Sequence, residues 1–284
     1  MKNNLKAPRW RKQLSAPVDL LPGSLRSGPT AAPVLRIFFH LIGAGILLLS
    51  LSCHPKIQPV GDRTTITLND QLQLEAELID TDPFTTDLSR WKPELEPGGT
   101  IALTDGKLEI TAAGGCTLWF KEKLKQPLMI EYTATVIDEG GPHDRVSDLN
   151  CFWLADDPES GELLADTSRT GKFSQYDRLR LYYVGLGGHN NTKTRFRRYR
   201  GTGEKPLLPE HDLSDPKYLI TPNAPNHIRI VVFEGEVQYW RNDQLIYDFY
   251  DPSPYVSGYF GFRTVRNHMT VEDFKIYKIN QLQP

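Results

Sequence analysis

Residues 227–250 read HIRIVVFEGEVQYWRNDQLIYDFY, and this stretch decides the fold. His227–Phe233, Val237–Arg241 and Gln244–Tyr250 have strand length and are rich in Val, Ile, Tyr and Phe. The two-residue breaks Glu234-Gly235 and Asn242-Asp243 suit tight hairpins, in which the central residues take positive φ. Three consecutive antiparallel strands follow from this reading. On the C-terminal side, Gly258–Thr264 and Thr270–Ile279 add two more. On the N-terminal side, Ile101–Thr104 and Lys107–Thr111 flank the hairpin pair Asp105-Gly106. Leu118–Phe120 and Leu128–Val136 alternate with period two, Met129, Glu131 and Thr133 against Ile130, Tyr132 and Ala134. There is no βαβ alternation and no internal repeat, so the expected class is all-β, an antiparallel two-sheet sandwich. Asp156–Gln175 and Gly201–Asn226 are rich in Pro and charge, and loops of that length commonly border a binding site.

The 284 residues carry 33 basic and 35 acidic side chains, so no global field points to nucleic acid. An apolar content of 39% is enough for a substantial core. Residues 36–52, RIFFHLIGAGILLLSLS, form an apolar run with a basic residue before it and small residues at its end. Its length and polar far flank suit a secretory signal better than a membrane span. Cys53 follows at once, and L-S-L-S-C resembles a bacterial lipobox whose cysteine is lipidated. The alternative is an ordinary signal peptide with an incidental Cys53. The division expected is residues 1–52 as extension and signal, 53–68 as anchor and tether, and 69–284 as one sandwich domain. The chain is thus expected to be exported and held to the cell envelope by its lipid. The polar residues 1–33 do not suit a signal peptide, and a start at a non-ATG codon near Val34 or Leu35 is expected. Cys116 and Cys151 either form a disulfide or lie as buried free thiols, and both readings stay open.

The run VVFEGEVQYWRNDQLIYDFYD (231–251), then GYFGFRT (258–264) and VEDFKIYKI (271–279), resembles the closing strands of concanavalin A-like lectin/glucanase jelly rolls. SDLNCFWLADDP (147–158) and LRLYYVGLGGHNNTKTRFRRYRG (179–201) are similar to a family of unknown function found in exported proteins of bacterial glycan-utilisation systems. The resemblance covers roughly residues 80–280. It implies a jelly roll with one sheet hollowed into a sugar-binding groove, and a polysaccharide or oligosaccharide as partner. Such folds host lectins, glycosidases and lyases, so the fold alone does not select an activity.

The middle motifs supply the candidate site. Leu149, Cys151 and Trp153 are the more apolar set, which would leave Asp148, Asn150 and Phe152 facing the groove. The opposite register would make Trp153 a sugar-stacking platform. Arg178, Arg180 and Tyr182 alternate with Leu179, Leu181 and Tyr183, while Arg195, Arg197 and Tyr199 flank Phe196. Seven basic residues and no acidic one fall between Arg178 and Arg200. This is either a positive patch suited to a uronic acid carboxylate, with Arg195 as its main grip, or a set of structural ion pairs. Gly185–Thr192 joins the two strands and places His189 and Asn190 beside them, while Arg263 and His268 come from the last strands.

Elimination next to a uronate carboxylate needs a His or Tyr base and a group that neutralises the carboxylate. Tyr182, Tyr183, His189, Asn150 and Arg195 are of the right types. Hydrolysis needs two carboxyl groups across the bond, and Asp148 is the one well-placed carboxylate of the middle motif. Metal-assisted cleavage would draw on Asp148, His189 and His268, but no tight ligand spacing supports it, and no cofactor is expected. The expected function is binding and cleavage of an acidic polysaccharide or oligosaccharide, by elimination rather than hydrolysis. The alternative is a glycan-binding protein without catalysis, which would use the same arginines, aromatics and asparagines.

Overall fold

The computed structural model describes residues 62–69 and 72–282, so the signal sequence, Cys53 and most of the tether lie outside the described residues. Among them the strands in chain order are β1 Arg63–Asn69, β2 Leu72–Asp82, β3 Trp91–Leu95, β4 Thr100–Thr104, β5 Lys107–Phe120, β6 Leu124–Lys125, β7 Leu128–Val136 and β8 Leu149–Asp156. There follow β9 Arg180–Gly187, β10 Lys193–Arg200, β11 Asp212–Leu213, β12 Pro225–Phe233, β13 Glu236–Arg241, β14 Gln244–Tyr250 and β15 Ser257–Gln281. β1 uses residues read above as tether; it pairs with β2, Ile66 opposite Leu74.

The sandwich is built by two long strands that serve both sheets. β5 unites the segments predicted at Lys107–Thr111 and Leu118–Phe120, and β15 unites Gly258–Thr264 with Thr270–Ile279. The first part of β15 and the second part of β5 sit in a front sheet with β3, β8, β9, β10 and β11. Their other parts join a back sheet with β4, β7, β12, β13 and β14, and β2 pairs with the end of β15. The change of sheet falls at Arg266, whose φ is 44°, where the register between β15 and β5 shifts. A bulged residue with positive φ interrupts the ladder and bends the strand without ending it.

Both hairpins of the 227–250 region have the expected backbone: φ is 48° and 93° at Glu234 and Gly235, and 49° and 60° at Asn242 and Asp243. The core between the sheets follows the period-two pattern. Phe260 and Phe262 of the front meet Ile130 and Tyr132 of the back, with the Tyr132 and Phe262 rings 5.0 Å apart and edge to face. Cys116 and Cys151 are buried here as free thiols, and burial pushes each up to about 12.

Candidate functional site

The face of the front sheet turned away from the core is the one on which the resemblance places a groove. Register sets its residues in rows across the strands, because partners in adjacent strands point the same way. One row runs Arg195, Gly185, Asn150, Arg263, Thr117, Glu94. The next runs Arg197, Tyr183, Phe152, Gly261, Trp119, Lys92.

Between its charged ends, Arg197 and Lys92, the second row is largely apolar and covered. Leu163, Phe173, Tyr176 and Leu179 of the segment 157–179 pack on Trp119, Phe152, Tyr183 and Tyr199. The Phe152 and Tyr176 rings lie 5.4 Å apart, and Phe173 and Tyr183 5.6 Å apart. The segment is anchored by charge as well. Arg169 donates from Nε to Glu94 Oε1 at 3.0 Å, the Tyr176 hydroxyl donates to Glu94 Oε2 at 2.8 Å, and Lys92 Nζ reaches the carbonyls of Leu164 and Asp166 at 2.7 Å each. The loop expected to border a groove therefore fills much of it.

The first row is polar and incompletely paired. Arg263 is 1% exposed. Its Nη1 donates to Gly171 O at 2.5 Å and Thr117 Oγ1 at 3.2 Å, and the Phe173 and Tyr176 rings lie 5.3 Å from its Cζ. Among the described residues it makes no ion pair with a carboxylate, and Nε and Nη2 find no acceptor. Burial lowers the pKa of this guanidinium. Its register neighbour Asn150 is also buried; Nδ2 donates to Asp148 Oδ1 at 3.4 Å, while Oδ1 finds no donor. Two glycines make room at this point. A Cβ on Gly115 would lie 2.1 Å from Gly171 O, 2.9 Å from Arg263 Nη2 and 3.0 Å from Glu96 Oε2, and a Cβ on Gly185 would lie 2.4 Å from the Tyr183 hydroxyl. Glu96 Oε2 itself accepts from the Gly115 N–H at 2.6 Å.

The rim beyond this row is half-exposed and built on backbone that few residues tolerate. Asp148 has φ 59°, and His189, Asn190 and Asn191 all lie in the left-handed region, which turns β9 sharply into β10. Asp148 Oδ2 accepts from Arg145 Nη2 at 2.5 Å and Ser147 Oγ at 2.7 Å, and Arg145 Nη1 donates to Asn190 Oδ1 at 2.5 Å. Arg195 holds Asp212 through Nε at 2.9 Å and Nη2 at 3.2 Å, and its Nη1 meets His189 Nε2 at 2.5 Å. Arginine has only donors, so Nε2 accepts in this contact.

Asp148, Asn150, Tyr183, His189, Asn190, Arg195 and Arg263 thus gather around one end of the face. Several other candidates do not. Trp153 is fully buried between the sheets against Tyr182, Phe196 and Tyr239, so it offers no stacking platform. Tyr182 also points into the core, because Asp251 gives its hydroxyl a buried acceptor at 2.6 Å; burial and that carboxylate push the phenol well up, away from a base role. Arg180 is held by Asp156 at the far end of β9, and Arg197 faces the groove side but donates to Lys205 O. Tyr199 lies beneath the covering loop. His268 belongs to the back sheet, with Nδ1 2.8 Å from Asp144 Oδ1 and Nε2 2.8 Å from Glu109 Oε1, so it cannot join Asp148 and His189 around a metal. Among the described residues no group of three or more His, Cys, Asp or Glu side chains is arranged to hold a metal ion.

The basic run is not a free positive patch. Arg178 pairs with Glu159, Arg180 with Asp156, Arg195 with Asp212 and Arg198 with Asp251. The structural ion-pair alternative accounts for these four. Sequence reasoning missed Arg145, which lies three residues before Asp148 and just outside the motif read, and it missed Glu96 and the Glu94–Arg169 pair, which reach the site from segments distant in the chain. Gly114-Gly115 inside a strand was the available signal, because glycine in a strand marks close backbone approach.

Comparison with solved structures agrees with the architecture. A Bacillus subtilis protein of unknown function with a galectin-like fold superposes with a TM-score of 0.57 at 18% identity, over 72% of this chain and 97% of that one. An endo-β-1,3-glucanase from Pyrococcus furiosus gives 0.49 at 11% identity over 77% and 99%, and the carbohydrate-binding module CBM66 from Bacillus subtilis gives 0.44 at 14% over 68% and 99%. At these identities the likeness concerns the fold alone, a concanavalin A-like jelly roll. No curated protein sequence matches the chain. The model of the family "Domain of unknown function (DUF6250)" matches residues 110–274, more than half of the chain and all of the rows described above except those from β3, so the chain belongs to the DUF6250 family.

Proposed function

We propose that this protein is exported and lipid-anchored through Cys53, and that it binds an acidic carbohydrate at the end of the front sheet bounded by Asp148, Asn190 and Arg195, with a uronate carboxylate directed to Arg263. The observation that carries the reading is the buried, unpaired state of Arg263 Nε and Nη2 beside the unpaired Asn150 Oδ1. A buried charge without a counter-charge is expensive, and a carboxylate with neighbouring hydroxyls offers the acceptor and donor that these atoms lack. Arg145, Asp148 and Asn190 stand at the rim, where sugar hydroxyls would meet them.

The test is calorimetric titration of the full-length protein with oligogalacturonate, oligoglucuronate and a neutral glucan of similar length. Binding of an acidic series that falls at least about tenfold in Arg263→Met, while any binding of the neutral glucan is unchanged by that variant, supports the reading. Acidic binding that is unchanged in the variant, or that falls no more than neutral binding does, overturns it.

Lyase-type elimination is the second reading: it places the His189 imidazole next to Arg195. It requires a substrate carboxylate to draw Arg195 Nη1 away, so that Nε2 is released to take the proton while Asp212 still shares the guanidinium. Its test is near-ultraviolet absorbance from an unsaturated uronate during incubation with the same acidic series. Tyr183 is the poorer base, because burial raises its pKa well above the ordinary phenol value.

A further inference from the structure

The outer face of the back sheet carries a cavity of about 530 Å³, a volume typical of small-molecule sites. The β1–β2 hairpin packs on the apolar part of this face, Met129, Val231 and Phe233, and the row Glu131, Arg229, Trp240 lies beside it, with Trp240 partly buried against the same cluster. The cavity opens at that row, with Thr64, Thr65 and Thr67 along one wall.

Its floor is fixed from several sides. Arg229 Nε donates to Glu131 Oε1 at 2.7 Å, His227 Nε2 stands 3.7 Å from the same oxygen, and Tyr277 lines the cavity beside this carboxylate and helps to hold it ionised. Burial would raise the pKa of Glu131, but these partners outweigh it and bring it to about 2, so the carboxylate is ionised throughout the physiological range. Trp240 is half-buried, and its Nε1 donates to Gln238 Oε1 at 3.0 Å. Gln238 Nε2 is tied in turn to Leu68 O at 2.8 Å and Asp248 Oδ1 at 3.1 Å, so the indole is held in one orientation. Arg229 Nη2 further approaches Asp243 Oδ1 at 3.5 Å.

We propose that this cavity is a second saccharide site, for a neutral mono- or disaccharide, with Trp240 as the stacking platform and the Glu131–Arg229 pair as the hydroxyl-recognising floor. An oriented indole offers the flat apolar surface on which a sugar's C–H face packs. A carboxylate and a guanidinium side by side present acceptors and donors at the spacing of vicinal hydroxyls. The charge distribution decides the ligand class. Arg229 is compensated by Glu131 and Asp243, so an added anion would meet carboxylates, in contrast to the uncompensated Arg263 on the front sheet.

The probes are cellobiose, laminaribiose and maltose, titrated into the full-length protein and followed by saturation-transfer NMR and tryptophan fluorescence. At least one is expected to bind at millimolar concentration. Trp240→Ala is expected to weaken it about tenfold or more, and Trp240→Phe to keep most of the affinity. Arg229→Met, which retains the side-chain stem, removes the floor donors and serves if Trp240→Ala fails to fold. Arg263→Met is expected to leave this binding unchanged, which separates the cavity from the front-sheet site. Absence of transfer to all three sugars, or transfer undiminished in both Trp240→Ala and Arg229→Met, overturns the proposal.

Discussion

Glu94 and Arg263 belong to one row of the front sheet, with only Thr117 between them, and both are almost fully buried. At the Glu94 end every polar demand is met: Arg169 and the Tyr176 hydroxyl bond the carboxylate, and Arg169 is shared further with Asp166 Oδ2 at 2.9 Å. At the Arg263 end a guanidinium rests on a carbonyl, a hydroxyl and two aromatic rings, with two of its nitrogens unpaired. Burial of a charge is thus no functional signal by itself. The Glu94 pair reads as the clasp that holds segment 157–179 on the sheet, and Arg263 reads as a group whose partner comes from outside.

The contrast can be broken most directly at the clasp. Glu94→Ala removes the buried counter-charge of Arg169 and leaves it only the more exposed Asp166 and Asp157, which should cost up to about 3–5 kcal/mol in urea unfolding. A loss below about 1 kcal/mol would put Glu94 among ordinary surface pairs and erase the distinction.

His268 offers a smaller, pH-dependent effect on the other sheet. Burial opposes its charge, but Asp144 and Glu109 outweigh burial and raise its pKa above 6.5. A raised folded-state value stabilises the fold fully below the unfolded pKa of the histidine, and the contribution fades as pH rises through the folded value. Asp144 and Glu109 have lowered values, so their share is present above the ordinary carboxylate range and is lost in acid. The urea midpoint should therefore be higher near pH 6 than near pH 9, and His268→Gln should remove that difference. A slope unchanged in the variant would assign it to other groups.

Arg178 and Glu159 form an exposed pair at 2.9 Å, and Arg178→Ala should cost at most about 1 kcal/mol. The smallest expected change sharpens the comparison most: Arg263→Met should leave the melting temperature undiminished, because it removes a buried charge without stranding a carboxylate. A large drop in melting temperature would make Arg263 a structural residue like Arg169.

Much of the architecture was legible in sequence because hairpin turns and period-two alternation are local. Asp105-Gly106, Glu234-Gly235 and Asn242-Asp243 marked their turns, and the alternation around Phe196 separated a core residue from its neighbours. Fusion of two predicted strands into β15 was not legible, since Arg266-Asn267 looks like a break and becomes a bulge. The site was less legible. Tyr182 and Trp153 are chemically suited to a groove and are placed in the core by partners on other strands, Asp251 and Tyr239. His268 has a histidine's usual chemistry but sits against Asp144 and Glu109 on the back sheet.

By itself the sequence determined the all-β class, the hairpins and the inventory of arginines, because these depend on residue type and on neighbours a few positions away. Tertiary structure alone decided which arginines are neutralised. Arg195 and Asp212 are brought together across β10 and β11, and Glu94 meets Arg169 from 75 positions along the chain. Charge compensation is a property of distance in space, where a Coulombic interaction is strong only within a few ångströms. For that reason Arg263, one arginine among several in the sequence, stands apart only in the folded chain.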